Sequence, residues 1–250
     1  MVLREQLQAH WAEQLAVSRF KDYGPNGLQV QGRDEVRRLV SGVTASLALI
    51  EAAVAVQADA IVVHHGLFWR GQDGCLTGWL KRRVQLLLAH DINLFAYHLP
   101  LDAHAELGNN AQLGQRLGLA ADARFGEQEL GFIGPAPTGV ADAASLARHV
   151  AQVLGRAPTL LPGDGRPLRR VGWCSGGAQG HFEEAMSAGA DAYITGELSE
   201  PQAHLARETG VAFLACGHHA TERYGAPALG ADAASRFGID HEFIEIDNPA

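Results

Sequence analysis

Short apolar runs that alternate with helical patterns are the feature that most restricts the fold of this chain. The first half carries three runs with the length of buried strands, at residues 38–44, 58–63 and 93–97. Helical spacing or capping signals mark the segments between and after them, at 47–56, 80–90 and 109–117. Strands that alternate with helices pack as a sheet covered by helices. We therefore expect an α/β fold.

A second alternating region follows a change in character near residue 124. Residues 120–170 combine strand-like segments, a helical pattern over 143–154 and a Pro/Gly-rich connection over 158–167. After residue 170, strands and helices alternate again as far as residue 215. The predicted architecture is therefore two α/β lobes, each with a central mixed sheet flanked by helices.

Composition disfavours several classes of protein. The formal net charge is −8, which argues against nucleic-acid binding through a basic surface. No apolar run approaches the roughly 20 residues needed to span a bilayer, and the N-terminus lacks the pattern of a signal peptide. We therefore expect a cytoplasmic protein with no membrane partner. The three cysteines, Cys75, Cys174 and Cys216, form neither a disulfide framework nor a zinc ribbon, because their number is odd and their spacing is wide and irregular.

Adjacent histidines, His64 and His65, follow the apolar run 58–63 directly. Neighbouring residues of a strand point to opposite faces, so both imidazoles reach one cavity only if the strand ends there. Two adjacent histidines suit two neighbouring metal ions better than a single one. A pair of hydrogen-bonded histidines at a strand end is the alternative.

A second pair, His98 and Asp102, follows the strand predicted over 93–97. Pro100 disfavours helical backbone at Leu99, which predicts a turn between the two side chains. Asp102 is a candidate carboxylate ligand or a helix cap. His98 is a candidate ligand, a residue that orients a ligand, or a proton shuttle.

A third pair, His218 and Glu222, lies four residues apart after the last apolar run of the second region. On a helix this spacing places both side chains on one face, where an imidazole and a carboxylate share a metal cluster. A surface contact between the two is the alternative. Glu197 also ends a predicted strand, and it is a candidate general acid or base or a carboxylate outside the ligand set.

Together, the three pairs predict a mixed imidazole and carboxylate site at the ends of strands, where open α/β sheets place their sites. Such ligands suit Zn²⁺, Fe²⁺ or Mn²⁺ better than Ca²⁺ or Mg²⁺. The Gly-rich turn Ser175–Gly177 is a further candidate for holding an anion at a helix N-terminus. A tight turn between a strand and a helix is the alternative for this segment.

Seven motifs, in the same order along the chain, resemble one family, the NIF-three-like, YbgI-type family whose members often carry the name GTP cyclohydrolase 1 type 2. The motifs are Pro25-Asn-Gly-Leu-Gln-Val, Val63-His-His-Gly, Tyr97-His-Leu-Pro-Leu-Asp-Ala, Asn109-Asn-Ala, Ser175-Gly-Gly-Ala, Asp191-Ala-Tyr-Ile-Thr-Gly-Glu and Gly217-His-His-Ala-Thr-Glu. His219 departs from the family, which often has Tyr at this position.

The resemblance implies a dinuclear metal centre with two divalent ions per chain inside a ring-shaped homohexamer. It assigns the ligands to His64, His65, Asp102, His218 and Glu222, with Glu222 as the bridge. It also implies that the C-terminal segment returns to the first lobe. The predicted lobes are therefore 1–124 with 217–250, which bind the metal, and 125–216.

Three functions are compatible with these expectations. The first is a metal-dependent hydrolase that acts on a nucleotide-like or other small substrate, as the family name implies, with His98 and Glu197 moving protons. The second is a metal-binding ring without catalysis, acting as a metal store, chaperone or regulatory scaffold. The third is a ring that processes nucleic acid, which the net charge of −8 opposes.

Overall fold

The computed structural model describes residues 1–250. The strands are β1 (Val2–Leu3), β2 (Gly27–Val30), β3 (Glu35–Val36), β4 (Arg38–Thr44), β5 (Ala60–His65), β6 (Asn93–Ala96), β7 (Ala123–Phe125), β8 (Gly131–Pro135), β9 (Thr159–Leu161), β10 (Arg170–Trp173), β11 (Ala192–Thr195), β12 (Ala212–Ala215) and β13 (Asp240–Phe243). The α-helices are α1 (Arg4–Gln14), α2 (Leu47–Ala55), α3 (Gly78–Ala89), α4 (Leu99–Ala103), α5 (Asn109–Leu117), α6 (Ala143–Leu154), α7 (Phe182–Ser187), α8 (Glu200–Thr209), α9 (His218–Glu222) and α10 (Gly225–Phe237). None of these helices combines the length and the apolar character that crossing a bilayer requires.

The chain folds into two compact units. The first comprises Met1–Gly108 and Gly225–Asp247, and the second comprises Asn109–Tyr224 and Asn248–Ala250. Both are built from mixed sheets flanked by helices, which confirms the predicted α/β class.

The first unit is organised around a five-stranded sheet in the order β13-β4-β5-β6-β2. The neighbours β13, β4, β5 and β6 run parallel, and β2 pairs antiparallel with β6. Successive residues of β5 enter different cores, since Ile61 and Val63 pack with α2 and α3 while Ala60 and Val62 pack with α1 and α10. Helices therefore cover both faces, and the polar ends of the strands are the positions left for a site.

The second unit contains a six-stranded sheet in the order β7-β8-β10-β11-β12-β9. The central strands β10, β11 and β12 are parallel, and the outer strands pair antiparallel. On one face, α5 and α6 contribute Leu113, Leu117 and Leu146 to a core that contains Trp173. Strand β9 lies inside the segment 158–167 that the sequence predicts as a connection, because an edge strand this short leaves little periodic signal.

The bounds of the two units differ from the predicted lobes in three segments of the chain. Helix α5 belongs to the second unit instead of the first, because its apolar face completes the core around Trp173. Residues 217–224 also belong to the second unit, since Tyr224 packs in that same core. Residues 248–250 belong to it as well, and Arg156 donates to the oxygens of Pro249 and Ala250. The predicted ligands are therefore divided, with His218 and Glu222 in the second unit.

Candidate metal centre

The first unit presents His64 and His65 as the last two residues of β5. His64 is fully buried and His65 is partly exposed. The strand continues through both, since Thr44 pairs with His65, yet the two ring centroids are only 4.5 Å apart. Leu67 donates its backbone N–H to Gln29 Oε1 at 2.7 Å, and a Cβ at Gly66 would overlap the same amide. The backbone directly after the histidine pair therefore packs closely against the Gln29 amide.

Oxygen atoms hold the Nδ1 atom of each of these imidazoles. His64 Nδ1 lies 3.0 Å from the carbonyl oxygen of Tyr97, and His65 Nδ1 lies 3.1 Å from the hydroxyl of Thr44. A carbonyl oxygen only accepts, so His64 Nδ1 carries a proton, and Nε2 lies on the opposite side of the ring. Metal-binding histidines are oriented by this kind of contact.

His98 joins this pair. Its ring centroid lies 4.9 Å from that of His64 and 5.7 Å from that of His65. One nitrogen from each of the three rings lies within 4.8 Å of the others, which is close enough for the three to share an ion. Trp69 meets the His98 ring edge-on at 5.0 Å and limits the movement of the ring.

Asp22 orients His98 and was not identified from the sequence. Its Oδ1 lies 2.7 Å from His98 Nδ1, and its Oδ2 accepts from Leu99 N–H at 2.9 Å and from Asn26 Nδ2 at 2.8 Å. Burial acts to raise the Asp22 pKa, but the hydrogen bonds from His98 and Asn26 outweigh it and lower the pKa from 3.8 to about 2. Asp22 is therefore a fixed anion behind the His98 ring.

Asp102 lies on α4, where the structure corrects the predicted turn. Leu99 is helical and Pro100 occupies the first turn of α4, because the missing N–H of proline has no partner to lose at that position. Asp102 is buried, and its Oδ1 lies 3.5 Å from His64 Nε2. The two atoms are therefore candidate ligand atoms for a cation.

The second unit presents His218 and Glu222 on the short helix α9, as the spacing predicts. His218 Nε2 lies 3.0 Å from Glu222 Oε2, and Glu222 is buried. Glu197, which follows β11, places Oε1 2.6 Å from His218 Nδ1. Burial acts to lower the His218 pKa, but hydrogen bonds and charge from Glu222 and Glu197 outweigh it and raise the pKa from 6.5 to about 9. His218 is therefore an imidazolium between two carboxylates.

Two glycines make room for this group. Gly176 has a φ of +68°, and a Cβ there would overlap the Glu222 carboxylate. A Cβ on Gly196 would come within 2.7 Å of His218 Cα. Gly176 also donates its backbone N–H to Thr221 Oγ1 at 2.9 Å, which ties the turn after β10 to α9. Gly176, in the motif Ser175-Gly-Gly-Ala, and Gly196, in the motif Asp191-Ala-Tyr-Ile-Thr-Gly-Glu, therefore allow close packing around His218 and Glu222.

The turn Ser175–Gly177 does not have the form expected of an anion site at a helix N-terminus. Ser175 N–H donates to Asn110 Oδ1 at 2.8 Å, and Gly176 N–H is taken by Thr221. Helix α7 begins only at Phe182. Two of the three N–H groups are therefore committed to side chains of the same unit.

His219 is buried beside the predicted ligands of the second unit. Its backbone N–H donates to the carbonyl oxygen of Ala250 at 3.1 Å. Three other residues of this site, Thr44, Asn110 and Thr221, were not singled out from the sequence. Asn110 and Thr221 lie within two of the family motifs, and Thr44 lies in none.

The comparisons with known proteins agree with the resemblance found in the motifs. The family described as Duf34/NIF3 (NGG1p interacting factor 3) matches residues 2–249. A protein named GTP cyclohydrolase 1 type 2 homolog from Neisseria meningitidis serogroup A is 51% identical over 253 residues, covering 100% of both chains. A protein of the same name from Pseudomonas aeruginosa is 51% identical over 239 residues, covering 94% of both.

Solved structures match over the same length. Protein ybgI, described as of unknown function, has a TM-score of 0.95 and 44% identity, with 100% of both chains covered. TTHA1606 from Thermus thermophilus has a TM-score of 0.89 and 33% identity, again with 100% of both covered. On these matches, and on the motifs that carry its candidate ligands, the chain belongs to the Duf34/NIF3 family.

Proposed function

We propose that His64, His65, Asp102, His218 and Glu222 hold two divalent metal ions per chain, as Zn²⁺, Fe²⁺ or Mn²⁺. One observation carries this proposal, namely that oxygen atoms hold the Nδ1 atoms of His64, His65 and His218. Each ring then has Nε2 as its nitrogen for a metal ion, which is the arrangement of metal-binding histidines. The motifs shared with the family support joining the two sets of ligands in one centre.

The donor chemistry of both units fits such ions. His64 Nε2 faces Asp102 Oδ1, and His218 Nε2 faces Glu222 Oε2. In each pair a borderline nitrogen donor stands beside a hard oxygen donor, which suits a first-row divalent ion. Loss of the Nε2 proton of His218 on metal binding would make His218 Nε2 and Glu222 Oε2 two ligand atoms in place of an ion pair.

We further propose that the centre serves hydrolysis of a nucleotide-like or other small substrate. Its support is the name GTP cyclohydrolase 1 type 2 homolog, which relatives carry, and the two-metal ligand set. Bound ions would lower the pKa of a water molecule and stabilise an oxyanion. The chain contributes His98 beside the histidine pair, held by Asp22 so that its Nε2 is the atom that exchanges protons.

In this proposal Glu197 orients His218 instead of moving protons itself. Its Oε1 is occupied by His218 Nδ1, and its Oε2 lies 3.3 Å from Gln179 Nε2. Both carboxylate oxygens thus have donors within the same unit.

We also propose a ring-shaped homohexamer, which the family resemblance supports. Light scattering of the purified protein tests this oligomeric state.

The experiment measures metal content by elemental analysis on untagged protein purified without chelator. About two ions per chain are expected for a two-metal site, and both His64→Ala and Glu222→Ala should lower the content of both ions if the ligands form one centre. His204→Ala is the matched control, because His204 and Glu200 form an exposed pair with the same four-residue spacing. Wild-type protein without metal after reconstitution would contradict the proposal.

Turnover separates the hydrolase from a metal store or scaffold. Hydrolysis of GTP, or of another member of a panel of small phosphorylated molecules, should depend on metal and be lost in His64→Ala. Metal bound reversibly by the wild type, without turnover of any member of the panel, would favour the store or scaffold.

A further inference from the structure

The helix that carries His218 and Glu222 depends on its surroundings for its direction. Helix α9 has only five residues, and a helix of that length is not stable by itself. On the side of the sheet, Gly217 N–H donates to the Gly196 carbonyl oxygen at 2.9 Å, and Thr221 accepts from Gly176. These contacts fix one side of the helix.

Arg156 fixes the beginning of α9 from the other side. Its guanidinium lies against Gly217, the residue before His218, where φ is +98° and a Cβ would overlap Nη1. The same Nη1 donates to the carbonyl oxygens of Pro249 at 2.9 Å and Ala250 at 3.3 Å. The oxygen of Ala250 in turn accepts from the N–H of His219. Arg156 therefore contacts the start of α9 directly and through the segment 249–250.

The far end of α9 is held by the same part of the unit. Arg223, the residue after Glu222, donates Nη2 to the Leu154 carbonyl oxygen at 3.0 Å. Leu154 is the last residue of α6, and Arg156 follows it by two residues. The C-terminal end of α6 thus anchors both ends of α9.

We infer that Arg156 is a positioning residue that sets the direction of α9 and thereby the position of the His218 and Glu222 side chains relative to Glu197, which holds His218 Nδ1. The inference rests on the proposed metal function. Arg156 donates to backbone carbonyl oxygens and acts on the two side chains through the helix that carries them. A planar guanidinium can lie flat on Gly217 while it donates to backbone oxygens, and a lysine ammonium lacks that shape.

The test compares the full-length wild type with Arg156→Gln, Arg156→Lys and Arg148→Gln. Arg148 is an exposed arginine of α6 and serves as the matched control. The affinity for Zn²⁺ is measured by competition with a chelator, and the geometry of the site is read from the visible absorption of Co²⁺ bound in its place. Thermal unfolding of the metal-free proteins reports the purely structural effect.

Arg156→Gln is expected to weaken Zn²⁺ binding by roughly tenfold or more, the range for residues that support metal ligands. The absorption spectrum of its Co²⁺ form should also shift. Arg156→Lys should recover part of the Zn²⁺ affinity and part of the wild-type spectrum. Arg148→Gln should match the wild type in both measurements. Unchanged affinity and spectrum in Arg156→Gln would overturn the inference, even if its melting temperature fell. If Arg156→Gln does not fold, Arg156→Lys decides: a wild-type spectrum and affinity would overturn the inference, and a shift would support it.

The outcomes separate this inference from the proposal on which it rests. Wild-type protein that binds metal together with an unaffected Arg156→Gln contradicts the role of Arg156 alone. Wild-type protein that binds neither Zn²⁺ nor Co²⁺ contradicts the metal centre and the role of Arg156 with it.

Discussion

Glu197 Oε1 lies 2.6 Å from His218 Nδ1, while Nε2 of the same ring lies 3.0 Å from Glu222 Oε2. The two carboxylates differ in position, since Glu222 is buried and Glu197 is nearly half exposed. A carboxylate behind a metal-binding imidazole fixes its tautomer and raises its basicity. In the proposed metal centre, Glu222 would bind an ion and Glu197 would support His218 from behind the ring.

Glu197→Gln is predicted to weaken metal binding. The amide keeps the length of the side chain but removes the negative charge behind His218, so the affinity should fall by roughly 10- to 100-fold. Competition with a chelator measures the metal affinity. Glu200→Gln is the control, because Glu200 is an exposed carboxylate nearby in the sequence. Loss of turnover with wild-type affinity would instead assign Glu197 to general acid–base catalysis.

Asp22→Asn is predicted to destabilise the metal-free protein. Asparagine places an NH₂ group where one carboxylate oxygen accepts from N–H donors, and bonds to a charged acceptor contribute roughly 1.5–3 kcal/mol to the free energy of unfolding. Urea unfolding measures the loss. Asp73→Asn is the control, since Asp73 lies in an exposed loop. A loss no larger than that of the control would contradict the role of Asp22.

The contribution of Asp22 should depend on pH. Its folded pKa of about 2 lies below the ordinary 3.8, so the stability that it contributes is present above the unfolded value and is lost as the pH falls through the folded one. The difference in unfolding free energy between wild type and Asp22→Asn should therefore shrink as the pH falls from about 5 towards 2. A difference independent of pH in that range would contradict this assignment.

Gly176→Ala is predicted to disturb Glu222 beyond the effect of backbone strain. Gly165 is the matched control, because its φ of +79° is similar to the +68° of Gly176 but a Cβ there meets nothing within 4 Å. Each alanine should cost about 1–2 kcal/mol for the left-handed backbone. Only Gly176→Ala should also weaken metal binding, since its methyl group displaces the Glu222 carboxylate. Equal metal affinity in the two variants would contradict the prediction.

The cysteines should differ sharply in reactivity. Cys75 is exposed, whereas Cys174 and Cys216 are buried, and burial raises the pKa of the Cys216 thiol to about 12. A thiol-specific disulfide reagent should therefore modify one thiol quickly in the native protein and all three in denaturant. Cys75→Ser should abolish the fast phase, and a fast thiol that persists in this variant would show that a buried cysteine is accessible.

Local patterns in the sequence determined most of the strands, most of the helices and the candidate ligands. The period of apolar residues identifies β4 and α6, and the four-residue spacing of His218 and Glu222 identifies their shared helical face. These features depend on neighbours in the chain, so one sequence suffices to read them. The turn predicted around Pro100 was wrong because proline is disfavoured inside a helix but tolerated in its first turn.

Only the tertiary structure decided which side chains orient the candidate ligands and His98. Antiparallel pairing of Gly27 with Ala96 brings the residues before β2 beside those after β6, and so places Asp22 against His98, 76 positions away. The packing of α6 likewise places Arg156 against Gly217. No local period specifies such partners, because they follow from strand order and helix packing, and the bounds of the two units follow from the same long-range contacts.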